Sequence, residues 1–187
     1  MSDARENILL TMARLIEKQG YHATGLNEII RESGAPKGSL YYYFPGGKEQ
    51  IGVEAILEAG RIISSRLQVV LPELMNPAEA IYGFLMQMAK NVEETGFSAG
   101  SPLTTASIET ARTSEKINKA CQDAFELILS VFRKKFLVAG FDESEASELA
   151  IYVTTVVEGG ILMSRTYHRT EPLRLAAKHL HAYLEKC

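Results

Sequence analysis

The sequence predicts an all-α protein of about nine helices, with a three-helix helix-turn-helix unit over residues 1–47 and a helical bundle over residues 48–187. Three observations predict it. The alternation of apolar and polar residues that marks a half-buried strand is absent. Apolar residues instead recur three and four apart along the chain, so that each segment has one apolar face. Helix starts and stops punctuate the sequence at ordinary helix lengths: Gly20, Gly34, Pro45-Gly46-Gly47, Pro72, Asn76-Pro77, Gly140 and Asp142.

The first helix is expected over residues 4–19, where Ile8, Met12, Leu15 and Ile16 share a face and Gly20 ends the run. Thr24 offers a hydroxyl as N-cap for a second, short helix with Leu26, Ile29 and Ile30 turned inward, and Gly34 suits the left-handed residue that closes it. A third helix starts near Pro36 or Lys37 and ends by Phe44, before Pro45-Gly46-Gly47 breaks the chain. A fourth starts at Lys48 and runs to about residue 71, where Pro72 stops it. Asn76 followed by Pro77 opens a helix to about Thr95. Residues 96–101 read as loop, and Pro102 begins a short helix. A long helix covers 114–138, ended by Gly140. Asp142 with Glu145 forms a capping-box start for a helix to about Tyr167, and Thr170-Glu171-Pro172 begins the last. No internal repeat or low-complexity segment interrupts this order.

Composition narrows the class without naming a function. The chain has 187 residues, 46% hydrophobic and 23% charged, which is ordinary globular composition. Its two cysteines, Cys121 and Cys187, make no disulfide framework, and a reducing cytoplasm is the expected compartment. The first residues carry Asp3, Arg5 and Glu6 and no long apolar run, so no signal peptide is expected. The longest apolar stretch, residues 151–163, is broken by Glu158 and the Gly159–Gly160 pair, too short and polar for a membrane span. The net charge is −3, and the first fifty residues hold six basic and six acidic side chains. Charge alone therefore does not suggest nucleic acid. The local pattern does, because residues 33–48 carry Lys37 and Lys48 and no carboxylate.

Two short helices joined by the tight turn Ser33-Gly34-Ala35-Pro36, packed on a longer first helix, make a helix-turn-helix. Leu40 and Phe44, four apart, share the inward face of the third helix. Lys37, Ser39, Tyr42 and Tyr43 then fall on outer faces, with Tyr41 at the edge. A helix this short cannot hide three tyrosines. A tyrosine hydroxyl can bond a phosphate while its ring packs on a thymine methyl. Lys37 and Ser39 occupy the first turn, the part of a recognition helix that enters the major groove. Gly38 there either permits close approach to a DNA backbone or relieves packing. Lys48 begins a helix, where exposed N–H groups and the helix dipole favour a phosphate.

The run Gly20-Tyr21-His22-Ala23-Thr24, then Ile29, then residues 34–44 (Gly-Ala-Pro-Lys-Gly-Ser-Leu-Tyr-Tyr-Tyr-Phe), then Lys48-Glu49, resembles the signature of the TetR family of regulators. The motif spans roughly the first fifty residues. Ser101-Pro102-Leu103, Val157-Glu158-Gly159-Gly160 and Glu171-Pro172-Leu173 resemble the LmrA/YxaF-like branch of that family. The resemblance implies an obligate homodimer with an N-terminal reading domain for double-stranded operator DNA and a C-terminal domain that binds a small apolar or aromatic inducer. It assigns DNA-facing roles to Thr24, Lys37, Ser39, Tyr41, Tyr42, Tyr43 and Lys48. Repressor, rather than activator, is likewise what the resemblance implies. Two departures stand out. Many members have a capping serine or threonine where this chain has Pro36, and a lost cap costs ~1 kcal/mol. The branch often has cysteine where this chain has Ser101.

In the C-terminal region Tyr82, Met86, Phe97, Phe125, Tyr152 and Met163 are candidates for an apolar inducer pocket, since methionine and aromatic side chains suit adaptable binding surfaces. Val153, Val156, Val157, Gly160 and Ser164 form a stripe of small residues on one predicted helix and are candidates for a dimer interface. The expected mechanism is release of the operator when an inducer shifts the fourth helix and changes the separation of the two reading heads. No metal site, cofactor or catalytic constellation is expected. His179 and His181, two apart on a helix, point about 200° from one another. Gly46-Gly47-Lys48 lacks the remaining residues of a phosphate loop. Cys121 reads as a small buried apolar residue. The alternative function is a helical small-molecule-binding protein without DNA-binding activity, favoured by the near-neutral first fifty residues.

Overall fold

The computed structural model describes residues 4–71, 76–98 and 100–187. Among these it has nine α-helices and no strand: α1 (Ala4–Gln19), α2 (Leu26–Ser33), α3 (Lys37–Tyr43), α4 (Gly47–Val70), α5 (Pro77–Glu94), α6 (Pro102–Thr110), α7 (Glu115–Val138), α8 (Glu143–Tyr167) and α9 (Glu171–Leu184). The all-α class is as the sequence predicts. Pro72, the expected stop of the fourth helix, lies outside the described residues.

Most helix ends follow their local chemistry. Gly34 closes α2 at φ +67° and Gly140 follows α7 at φ +100°. The Asn76 Oδ1 accepts the N–H of Ala78 at 2.7 Å, with Pro77 in the first turn of α5. Asp142 and Glu145 form a complete capping box at α8. Ser101 caps α6, its Oγ accepting the Thr104 N–H at 3.3 Å. One start differs from expectation. Thr24 is not the N-cap of α2. Gly25 takes that place, and the buried Thr24 hydroxyl instead donates to the Gly20 carbonyl at 2.7 Å. The third helix starts at Lys37, within the expected range, with Pro36 as an N-cap at ψ 139° that makes no side-chain cap bond.

The chain folds as two compact units, each with its own core. The first comprises Met1–Ile62 and Ser101–Glu126. In it, Ile8, Met12, Leu15 and Ile16 of α1 are almost fully buried, together with Ile29, Leu40, Phe44, Ile51, Leu103 and Ile117. Gly60 of α4 lies against Ala124 of α7, where a Cβ would come 2.6 Å from the Ala124 methyl. Cys121 is buried, as expected, and its Sγ lies 3.7 Å from the Leu103 carbonyl. Burial pushes its thiol pKa up.

The second unit comprises Ile63–Gly100 and Leu127–Cys187, in which α5, α8 and α9 pack together around Ile81, Leu85, Val153, Leu173, Ala177 and Leu180. Gly160 is required by that packing, since a Cβ there would come 2.8 Å from Leu173 Cδ2. By length and composition α8 is apolar enough to cross a membrane, but one of its sides forms this core.

Candidate nucleic-acid interface

The reading surface is built on α3. Leu40 and Phe44 are fully buried and fix the roll of the helix, through which α3 packs on α1. The opposite side is open: Tyr42 is 79% exposed and Tyr41 50%. Tyr43 is half-buried, its ring meeting Tyr42 edge-on at 5.1 Å. Lys37 and Gly38 are exposed and Ser39 is half-buried. At Gly38 nothing lies within 4 Å of an added Cβ, so its bareness relieves no packing inside the chain. Pro36 supplies no side-chain cap, yet its carbonyl accepts the Ser39 N–H at 2.9 Å. Lys37, Gly38, Tyr41 and Tyr42 therefore form a contiguous exposed strip with Ser39 and Tyr43 at its margin.

The acidic side chains of α2 do not oppose this strip with free charge. Glu32 is paired with Arg14 at 3.0 Å and with Arg31 at 3.3 Å, and hydrogen bonds from these guanidinium groups hold its carboxyl below the usual range. Glu28 accepts from Gln19 at 2.8 Å and lies 3.7 Å from Arg31. The near-neutral total thus hides internal pairing, and Lys37 lies on the exposed side of α3.

Two of the predicted residues sit differently. Thr24 is 1% exposed and both its hydroxyl and its N–H are engaged by the preceding turn, so its side chain is a brace and not a surface group. Lys48 is the second residue of α4, not the first. Its ammonium donates to the His22 carbonyl at 3.1 Å and lies 4.6 Å above the Tyr21 ring. Burial lowers its pKa, and the nearby Glu109 carboxylate opposes that shift.

A set of residues that sequence reasoning missed surrounds Lys48. The Glu109 carboxylate of α6 accepts the His22 N–H at 3.0 Å, and Glu49 accepts from Ser114 Oγ and Lys116 Nζ, both at 2.9 Å. These partners lie 65 to 87 residues away along the chain, beyond any local signal.

Of the six candidate inducer contacts, Phe125 belongs to the first unit and the other five to the second. Phe125 lines a groove of about 550 Å³ in the first unit, with Ser107, Asn118 and Cys121. Tyr152 lines a smaller one of about 360 Å³ in the second unit, against Tyr183 and Phe141. Tyr82 packs on His181 and Phe97 on His168, each at 5.5 Å between ring centres. Met86 is half-buried and Met163 is 42% exposed, and neither lines those grooves. The aromatic side chains of different helices had no register in sequence that would separate pocket from surface.

The candidate dimer stripe is also corrected. Val153 and Ser164 are fully buried within the chain, Val157 and Gly160 are buried, and Val156 is half-buried. Their space is filled by intrachain packing, as Leu173 of α9 does at Gly160. The exposed apolar residues of α8 are Ile151 (58%), Tyr152, Leu162 (55%) and Met163, with exposed Thr155, Gly159 and Thr166 between them.

Among the histidines, His179 is exposed while His181 lies between two carboxylates, Nε2 2.9 Å from Glu79 and Nδ1 3.8 Å from Glu185. The two carboxylates approach opposite nitrogens of the ring.

Comparison with known proteins agrees with this geometry. Residues 8–55 match the model of the bacterial regulatory proteins of the tetR family, and residues 77–179 match that of the transcriptional regulator LmrA/YxaF-like C-terminal domain. The chain is 41% identical over 184 residues to the uncharacterized HTH-type transcriptional regulator YxaF of Bacillus subtilis strain 168, covering 98% of this chain and 96% of that one. It is 42% identical over 171 residues to the HTH-type transcriptional regulator LmrA of the same strain, covering 91% of each. In fold it matches the crystal structure of E. coli NemR in its reduced form, with a TM-score of 0.81 and 23% identity over 95% of this chain and 96% of that one.

Proposed function

The chain belongs to the TetR family of DNA-binding transcriptional regulators, with an LmrA/YxaF-like C-terminal domain, and from that premise we propose that it is a homodimeric repressor released from operator DNA by a small inducer. The observation that carries the reading is the division of α3: Leu40 and Phe44 at 0% exposure on one side, Tyr41 and Tyr42 at 50% and 79% on the other. Two large aromatic rings held in water by a rigid short helix are costly unless a partner covers them. We assign base-edge and backbone contact to Lys37, Gly38, Ser39, Tyr41, Tyr42 and Tyr43, and phosphate contact to Lys48 and the start of α4. Residues 1–47 then serve as the reading domain, in the cytoplasm where operator DNA is found.

The second copy is assigned to the outer face of α8. Ile151, Thr155, Gly159, Leu162 and Thr166 follow one another at intervals of four, four, three and four residues, the spacing of a single helix face. A twofold pairing of such faces presents two recognition helices to successive major grooves and calls for a near-palindromic operator. The inducer reading is supported by the groove beside Phe125 and Cys121, whose volume suits a small organic molecule. Its rim of Asn118, Lys119, Gln122 and Asp123 favours a ligand with polar groups as well as an apolar body.

The test is a fluorescence titration of the full chain against the duplexes it selects from a random-sequence pool. Selection of a near-palindrome, with an affinity that falls steeply as salt rises, is the expected result. Failure to enrich any sequence removes the operator-binding reading.

A further inference from the structure

The turn on which Lys48 rests is held from outside the helix-turn-helix. The Lys48 ammonium rests on two things, the carbonyl of His22 and the ring of Tyr21. That turn is held in turn by the last part of α6. The Glu109 carboxylate accepts the His22 N–H at 3.0 Å, and the Glu109 carbonyl lies 3.2 Å from His22 Nε2. The Thr113 hydroxyl is 3.3 Å from the same nitrogen. Gly20, in the left-handed region at φ +92°, lies directly under the Glu109 carboxylate, where any Cβ would collide with it. On the other side of Lys48, Glu49 ties the first turn of α4 to Ser114 and Lys116 at the start of α7. The His22 part of the seat is thus held by Glu109 and Thr113, and the start of α4 by Ser114 and Lys116.

On the DNA-binding reading given above, we propose that Glu109 is a positioning residue for operator binding: through the His22 turn it holds the seat from which Lys48 meets a phosphate. The carboxylate acts by accepting a hydrogen bond, and it touches no DNA itself. Its grip gives a displacement of α6 a route to the seat of Lys48 that does not pass along α4, beside the direct packing of α6 on α1. Lys48 reports on the seat directly, because release into water restores an ordinary lysine environment and pKa.

The experiment uses the full-length protein and the duplex that the wild type selects from a random-sequence pool. Two readouts are taken: affinity against salt, and the side-chain amine signal of Lys48 by NMR, assigned with K48R. Glu109→Ala is expected to weaken binding about tenfold, to reduce the salt slope by about one, and to move the Lys48 signal to that of a solvated lysine. Glu109→Gln, which still accepts the His22 N–H, is expected to stay within about threefold of wild type with Lys48 in place. An unmoved Lys48 signal in E109A, or equal losses in E109A and E109Q, overturns the proposal while leaving operator binding intact. A wild type that selects no duplex overturns the DNA-binding reading, and the proposal with it. Should E109A fail to fold by circular dichroism, Thr113→Val removes another hold on His22 and is expected to shift the Lys48 signal the same way by less; no shift again overturns the proposal.

Discussion

Two adjacent glycines in the middle of α8, about 100° apart around the helix, meet different surroundings, and that contrast makes the dimer assignment testable. A glycine inside a helix costs about 1 kcal/mol relative to alanine. At Gly160 the cost has a reason inside the chain, because a Cβ would come 2.8 Å from Leu173 Cδ2. At Gly159 nothing lies within 4 Å of an added Cβ, and the residue sits among exposed Ile151, Thr155, Leu162 and Met163. If α8 of a second copy crosses there, Gly159→Ala intrudes on the crossing from both chains. Overpacking the close crossing costs about 1–3 kcal/mol, whereas the gain of about 1 kcal/mol in helix propensity is the same in monomer and dimer and cancels from association. The expected net is a dimer weakened by roughly 1–3 kcal/mol, a rise in dissociation constant of about five- to hundredfold. Sedimentation equilibrium over a dilution series measures it. The control is Gly83→Ala on the exposed side of α5, where nothing lies within 4 Å either. That change is expected to stabilise the fold by up to about 1 kcal/mol and leave association alone. If G159A behaves like G83A, stabilising the chain with the dimer unchanged, the outer face of α8 is not the interface.

Other substitutions probe the reading head and the two cores. Tyr42→Ala, at the most exposed ring of α3, is expected to weaken specific duplex binding by about 1–3 kcal/mol with no loss of thermal stability; unchanged affinity in a titration removes Tyr42 from the interface. Gly60→Ala places a methyl 2.6 Å from the Ala124 methyl and 2.9 Å from its Cα, so α4 and α7 must part. A net destabilisation of about 1–2 kcal/mol in urea unfolding is expected, and a stabilised variant contradicts the packing described. Ser164 is fully buried, and among the described residues its Oγ has no hydrogen-bond partner. Ser164→Ala removes an unsatisfied hydroxyl and is expected to leave stability unchanged or raise it by about 1 kcal/mol; a clear loss by calorimetry identifies a partner for that oxygen.

Much of the fold is legible because its signals are local. Asn76 before Pro77, Asp142 with Glu145, and Gly34 and Gly140 past helix ends each act on backbone groups within a few residues. The roll of α3 is legible for the same reason, since Leu40 and Phe44 are one turn apart. Thr24 misleads where two local options compete. Its hydroxyl can cap forward or bond backward, and the tight turn at Gly20 offers a carbonyl at 2.7 Å that wins. The seat of Lys48 is not legible at all. Glu109 meets His22 from 87 residues away, and no periodicity within either segment encodes that pairing.

The outer and inner faces of α8 show a subtler limit. Val153, Val156, Val157, Gly160 and Ser164 make one apolar and small-residue stripe, while Ile151, Thr155, Gly159, Leu162 and Thr166 make another about two residues away along the helix. Both have helical spacing, and each contains a glycine. Spacing alone does not say which of the two faces is covered, or by what. In the folded chain α5 and α9 take the first, burying Val153 and Ser164 completely. The second is left with Ile151 and Leu162 more than half exposed. Isolated exposed apolar residues are common on soluble proteins; here Ile151 and Leu162 flank threonines and a glycine on one face, which is the observation the proposed pairing rests on. The small-residue signature was therefore a sound indication of close helix packing on α8, and the chain's own α9 uses one copy of it. On the proposed reading, the row around Gly159 is where the second subunit packs.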